Sequence, residues 1–453
     1  MWKQIRDRES GRLRPNLYRN RVELSRLASL QLSNHKEIVS PHRASVNSLQ
    51  VDLTEQRYLL SCASDASVAV YDVQRATGRE GGGLICKHKP LFVVDKRHQQ
   101  GHKYAVSTSI WYPVDTGLFI TGSYDHRINV WDTNTTQVAV DFKMPGKVNK
   151  CAMSSVATSH MLIAAATEDV QVRLCDIASG AFAHTLSGHH DGVMSAEWSA
   201  SSEWVLITGG CDGAIRFWDI RRAGCFRVLD QSHCQLGRRP PLLARSAPNK
   251  SSTSKSPSAV HTSSIKARPS LRKSLIGNNH RQSFIDRQVS RGSLRQRSHP
   301  GMLTTQDRAT AHYGVVSSLK VTNDGMYLLS AGSDSRLRLW DIGSGCNTLV
   351  NYETARLQTT KALQVDISRD SSVAFVPCMM TTKAFDLWSG KAMMNFHGHY
   401  ENVNCCWYNH QDQELYTGSN DKQILVWSPT KIAIEEESEV KMKLGVDEDN
   451  WSD

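Results

Sequence analysis

A Trp-Asp pair recurs along this 453-residue chain with fixed company around it, and no other feature restricts the fold so tightly. The pair stands at Trp131-Asp132, Trp218-Asp219 and Trp340-Asp341, with degenerate copies at Tyr71-Asp72, Cys175-Asp176, Phe385-Asp386 and Trp427-Ser428. Alternate positions before it are apolar, as in Ile128 and Val130, Ile215 and Phe217, or Leu337 and Leu339. Period two of this kind marks a half-buried strand. Six positions before the aromatic residue lies an acid: Asp65, Asp125, Asp212, Asp334 and Asp421. Four positions before that acid comes a hydroxyl, from Ser61, Thr121, Thr208, Ser330 and Thr417. A histidine precedes the same acid by 22 or 23 positions: His42, His102, His189, His312 and His399.

These four residue types satisfy one another. A carboxylate buried at a tight turn needs donors, and histidine and hydroxyl groups supply them. Tryptophan adds an indole N–H and a large apolar body. Each set is therefore expected to stitch two strands and a loop, a structural role and not a catalytic one. Sets with tryptophan are His102, Thr121, Asp125 and Trp131; His189, Thr208, Asp212 and Trp218; His312, Ser330, Asp334 and Trp340; and His399, Thr417, Asp421 and Trp427. The first set has Tyr71 in the aromatic place. The pattern resembles the WD-repeat signature, in which one repeat folds as one four-stranded propeller blade.

The Asp after the aromatic falls at 72, 132, 176, 219, 341 and 386, with Ser428 last. A blade takes about 40–45 residues. The first interval is long by one loop, attributed to the run Gly81-Gly82-Gly83 and its flanks. The interval from Asp219 to Asp341 needs either two missing blades or one insert. Residues 235–308 hold almost no aromatics and no alternating apolar run, and they are rich in Ser, Arg, Lys and Pro. Such a stretch cannot bury enough to fold as blades. The expected fold is an all-β, seven-bladed WD40 β-propeller over residues 36–430, with a disordered basic insert at about 235–308 between blades four and five. The third blade keeps Asp169 but has Ala165 in the hydroxyl place and no upstream histidine. The sixth rests on spacing and on the runs 372–377 and 383–387 alone.

No run of about 18 apolar residues occurs, so no membrane span is expected. The N-terminus is basic without an apolar run after it, which argues against a secretory signal. Eleven cysteines are spread singly apart from Cys405-Cys406. With no CxxC pair, neither a disulfide framework nor a zinc site is expected. Reduced thiols packed in strands suit cytosol or nucleus. No nucleophile–base pair, phosphate loop, cofactor site or metal cluster stands apart from the repeats. The net charge of +10 is concentrated: residues 235–308 hold 15 Lys or Arg against Asp286 and Asp307, a surplus of 13, which leaves −3 for the rest. The propeller body is not basic, so specific nucleic-acid binding does not follow from the charge.

Residues 1–35 form an arm in which arginines alternate with Trp2, Ile5, Leu13, Leu17, Tyr18, Leu24 and Leu27. From Asn16 onward the apolar spacing is helical, with Asn16 a candidate cap after Pro15. Such a helix either lies in a partner's groove or folds back onto its own propeller. In the insert, basic residues precede Ser274, Ser283 and Ser293, a composition open to three readings: an inert solvated loop, nonspecific phosphate contacts, or a phosphorylated switch. Residues 266–273 form a weak nuclear import pattern. The tail 431–453 is acidic, expected to be solvated, and carries Trp451 as a candidate docking element.

Longer stretches are more specific than the repeat. Residues 101–135, and within them the run from Trp111 to Gly117, resemble the second blade of the Cockayne syndrome group A family of WD-repeat proteins. Further matching runs are 347–352, 375–377, 398–406 and 413–421, in register over nearly the whole chain outside the insert. The insert departs from the family pattern, in which the connection is short. The resemblance implies a nuclear, non-catalytic substrate receptor of a cullin-4 RING ubiquitin ligase. It implies docking on the large adaptor subunit of damaged-DNA-binding protein, and through it on cullin-4 and the RING subunit. It further implies presentation of client proteins at RNA polymerase II stalled by damage, in transcription-coupled nucleotide excision repair. Trp218-Asp219-Ile220-Arg221 matches the WDxR box of such receptors, so Asp219 and Arg221 are candidate adaptor contacts. By the same likeness the arm, with Ile5, Leu13, Leu17, Tyr18 and Leu24, should insert beside the propeller against the adaptor. The competing reading is another nuclear WD40 scaffold that binds chromatin or RNA-processing proteins. An enzyme is the third reading, and no residue constellation supports it.

Overall fold

The computed structural model describes residues 2–12, 14–80, 85–222, 224–231, 310–357 and 361–430. The expected insert at 235–308, the tail 431–453 and Leu13 lie outside the described residues.

Each stretch of alternating apolar residues becomes a strand, and successive strands pair antiparallel. The first sheet holds Val46–Val51, Tyr58–Ala63, Val68–Asp72 and Pro90–Val94. The second holds Val106–Trp111, Leu118–Ser123, Arg127–Asp132 and Val138–Lys143, and the third Val148–Met153, Leu162–Thr167, Gln171–Asp176 and Ala181–Ser187. The fourth holds Val193–Trp198, Val205–Gly210, Ile215–Asp219 and Cys225–Leu229. The fifth holds Val316–Val321, Tyr327–Gly332, Leu337–Asp341 and Cys346–Asn347, and the sixth Asp366–Ile367, Val373–Cys378, Thr381–Asp386 and Ala392–His397. The seventh is made of Val403–Asn409, Glu414–Ser419 and Ile424–Pro429, with Leu30–Leu32 as its outer strand.

Apolar cores lie between neighbouring four-stranded sheets, and one of them joins the seventh sheet back to the first. Close approach needs glycine at recurring points. A Cβ on Gly209 would stand 2.6 Å from Val316 Cγ1 of the next sheet. Closure is made by the N-terminal strand, where Leu30 pairs with Pro429 and Leu32 with Trp427. Sharing a sheet between the two ends leaves the circle without an open edge.

The expected count of seven blades is corrected by an eighth sheet. Lys36–Ile38 runs parallel to Ile85–His88, which pairs antiparallel with Gly78–Glu80. The described residues therefore form eight sheets, seven of four strands and one of three. Two strands of the missed sheet come from the long first interval, read from sequence as a loop, and the third precedes the first blade. Strands of three or four residues are too short to display an alternation.

Both weak repeats form full sheets. In the third, Asp169 takes Thr167 and Arg173 as neighbours, its N–H donating to Thr167 Oγ1 at 3.3 Å and its carboxylate lying 3.7 Å from the guanidinium. In the sixth, the Tyr352 hydroxyl donates to the Leu387 carbonyl at 2.6 Å, and Asp366 accepts from the Tyr408 N–H at 2.8 Å.

Two helices precede the propeller, α1 (Trp2–Glu9) and α2 (Pro15–Leu27). Proline fits the first turn of α2, where its missing N–H costs nothing, so Arg14 is the N-cap residue and Asn16 falls inside the helix. The arm ends earlier than residue 35, since Leu30–Leu32 belongs to the seventh sheet. No helix among the described residues is long and apolar enough to cross a membrane.

Candidate functional site

The repeat residues meet as stitches. In the second sheet His102 Nδ1 lies 2.8 Å from Asp125 Oδ2 and His102 Nε2 lies 2.7 Å from Thr121 Oγ1, while Trp131 Nε1–H donates to the same hydroxyl at 2.8 Å. A hydroxyl that accepts from the indole has one proton to give. Given to His102 Nε2, it leaves Nδ1–H for the carboxylate, and a neutral imidazole then satisfies all four groups. The fourth, fifth and seventh sheets repeat the arrangement through Thr208, Ser330 and Thr417, with indole bonds of 2.8 to 2.9 Å. Their histidines bond the hydroxyl and Asp212, Asp334 or Asp421 at 2.7 to 3.2 Å. Burial pushes the Asp212 carboxyl up, but His189 and the amides of His190 and Ala214 outweigh it and hold the pKa at about 2. The first sheet differs. There His42 bonds Ser67 at 2.5 Å and Ser61 at 2.7 Å, and Ser67 in turn donates to Asp65.

Strand pairing fixes which connections share a face. The Asp that ends each third strand pairs with the residue that begins the second: Asp72 with Tyr58, Asp132 with Leu118, Asp219 with Val205, Asp341 with Tyr327, and Asp386 with Val373. Turns before the second strand and after the third therefore lie on one face, and the stitched turns lie on the other.

Arg221 stands on the first of these faces. Its Nε–H donates to Asp219 Oδ1 and its Nη2–H to Asp219 Oδ2, both at 3.0 Å. The guanidinium also sits 5.2 Å from the centre of the Trp204 ring. The bond from Arg221 holds the Asp219 carboxyl below the usual carboxylate range. Trp204 is steadied in turn, with the His160 ring centre 5.3 Å away, and Glu203 accepts from the Thr158 N–H at 2.9 Å. The Arg221 side chain remains 56% exposed. It is thus a fixed cation with donors still open to a partner carboxylate or carbonyl.

The arm leaves from the same face, because Leu30 pairs with Pro429 at the end of a third strand. The Ser29 carbonyl accepts from Thr430 N–H at 3.2 Å. Leu27 is buried and Leu24 half-buried, both against the core between the sixth and seventh sheets. Leu24 is therefore occupied by this chain's own propeller. Leu17 is 51% exposed. Tyr18 carries the Arg8 guanidinium 5.1 Å from its ring centre, and Ile5 is half-buried. The arm thus has the C-terminal end of α2 seated on the propeller and Leu17 open to solvent.

Sequence reasoning missed Trp204, whose role depends on a turn that carries no motif. It also missed a charged belt in the central channel. A cavity of about 240 Å³ is lined there by Gln50, Lys150, Glu197, Lys320, Asp366 and Trp407. Lys320 Nζ lies 3.1 Å from Asp366 and 3.9 Å from Glu197, and 5.3 Å from the Trp407 ring centre. Burial pushes the Glu197 carboxyl up and the Lys150 amine down. Each of these side chains comes from a different repeat, so no local spacing could have joined them. No group of three or more His, Cys, Asp or Glu residues placed to hold a metal occurs among the described residues.

The sheets and stitches define a WD40-repeat protein. The family model for the WD domain, G-beta repeat, matches residues 94–132, 180–219, 304–341 and 390–428. The chain is 62% identical over 457 aligned residues, covering 100% of both chains, to the WD repeat-containing protein ATCSA-1 of Arabidopsis thaliana. It is 30% identical to Radiation-sensitive protein 28 of Saccharomyces cerevisiae across 26% of this chain and 25% of that one. It is 26% identical to the Ribosome biogenesis protein WDR12 homolog of Drosophila erecta across 42% of this chain and 45% of that one. The chain belongs to the Cockayne syndrome A family of WD-repeat proteins.

Proposed function

We propose that this protein is the substrate receptor of a nuclear cullin-4 RING ubiquitin ligase. It docks on the large adaptor subunit of damaged-DNA-binding protein and presents client proteins at RNA polymerase II stalled by damage, in transcription-coupled nucleotide excision repair. The receptor performs no bond chemistry, which falls to the RING subunit and its charged conjugating enzyme. The observation that carries this reading is the full-length likeness to ATCSA-1. Support comes from a held, exposed Arg221 on the face from which the arm also leaves. A fixed guanidinium loses little freedom on binding, and this favours it as a docking contact.

The test is affinity purification of the intact chain, Arg221→Ala, and a chain lacking residues 2–19, each checked by thermal melting. The intact chain should bring down the adaptor and cullin-4, and each folded variant should bring down at least tenfold less. Absence of the adaptor from the intact chain's eluate would remove the reading.

A further inference from the structure

The innermost strands of five sheets carry a small residue at their third place: Ser48, Thr108, Ser195, Ser318 and Cys405. The third sheet has Lys150 there instead. Small neighbours leave room, and the Lys150 side chain lines the channel cavity of about 240 Å³. Its ammonium makes no hydrogen bond or ion pair with the described residues, and Glu197 acts on it only from a distance. Burial therefore pushes the Lys150 amine down. A buried cation without a partner is costly, and a partner of opposite charge removes the cost.

The rest of the belt is already matched or offers donors. Asp366 takes Lys320 at 3.1 Å and the Tyr408 N–H at 2.8 Å. Burial pushes the Glu197 carboxyl up, toward the protonated form that donates a hydrogen bond. Gln50 Oε1 accepts from the Trp111 N–H at 2.7 Å, which leaves the Gln50 amide N–H groups without an acceptor among the described residues. With Glu197 protonated, Lys150 and Lys320 face Asp366 alone, a surplus of one positive charge. The cavity opens among the turns before the second strands, at Leu53, Pro113 and Asn323. Outside it lies a vestibule lined by Gln56, Asn323, Arg369, His410 and Gln411, with one guanidinium and no acid. The cavity volume equals the share of about eight water molecules, enough for a small organic acid.

We propose that the central channel is a binding site for a small carboxylate anion, which pairs with Lys150 and accepts further hydrogen bonds from Gln50 and Glu197. One surplus charge suits a single carboxylate. A charge-assisted bond to Lys150 supplies most of the attraction, and the neutral donors orient the group. The site lies within this chain and is independent of the receptor reading.

The experiment is saturation-transfer NMR of the full chain with sodium propionate, with propionamide as the neutral control, at constant ionic strength. Propionate should give a saturable signal and propionamide none. Lys150→Met should weaken propionate binding at least tenfold and melt no lower than the intact chain, because it removes an unpartnered buried charge. Glu197→Gln keeps a donor and should bind propionate at least as tightly. Gln50→Glu still accepts from Trp111 but places a negative charge in the cavity, so it should bind at least tenfold more weakly. That variant decides the matter if Lys150→Met does not fold. Unchanged binding in either folded variant, Lys150→Met or Gln50→Glu, would overturn the inference. So would equal signals from propionate and propionamide, or no saturable signal from the intact chain, which would assign the cavity to water.

Discussion

At the residue scale, the hydroxyl is the hub of each stitch. Thr121 serves His102 and Trp131 at once, and both are fully buried. Thr121→Val keeps the shape and removes both partners' bonds. Each buried group left unpaired costs about 1–3 kcal/mol, so the variant should lose roughly 2–4 kcal/mol in urea unfolding, and a loss under about 0.5 would contradict the account. His42 adds a pH dependence. Burial, opposed by Asp65, holds its pKa down to about 4. An unfolded histidine takes its proton near 6.5, so the unfolded chain binds the proton first as pH falls. That contribution is complete above about 6.5 and is lost as pH falls toward 4. Burial shifts His312 and His399 in the same direction. Melting temperature should fall across that window, and less steeply in His42→Gln; an unchanged slope in that variant would count against the assignment. These residues were readable from spacing because the repeat brings the same four groups together each time. Ser67 was not, since it takes the carboxylate's place beside His42 only in the first sheet.

At the element scale, α2 is divided between its own propeller and solvent. Leu27→Ala should cost about 2–5 kcal/mol and expose the arm to proteolysis ahead of the propeller. Leu17→Ala should leave stability within about 0.5 kcal/mol and weaken only adaptor binding. Equal effects of the two on melting would refute the division. The 3.6-residue spacing revealed α2, whereas α1 has eight residues, no acid in its first turn and no spacing of its own. Periodicity found the long strands and missed the eighth sheet, whose strands of three or four residues are too short to show a period of two. The sixth sheet lacks every stitch residue and still forms, because packing against neighbours on both sides carries it.

At the scale of the whole molecule, closure depends on the N-terminal segment. Lys36 Nζ lies 2.6 Å from Glu414 and 3.0 Å from the Tyr416 hydroxyl, which itself donates to Glu414 at 2.7 Å. Both charged side chains are 9% exposed. Lys36→Met strands a buried carboxylate and should cost about 3–5 kcal/mol, and Lys36→Met with Glu414→Gln should recover much of it. No recovery would mean the pair is not the latch. This contact joins residues nearly 380 positions apart, and nothing local in the chain announces it. Arg221 stood out in the sequence because its box is short and local, while Trp204 beneath its guanidinium lies on a turn without a motif. On the receptor reading proposed above, one face of this molecule docks on the ligase adaptor. Size-exclusion chromatography of the purified chain mixed with the adaptor and cullin-4 tests it most directly. One comigrating complex is expected, lost with Arg221→Ala. Separate elution of the folded, intact chain would contradict it.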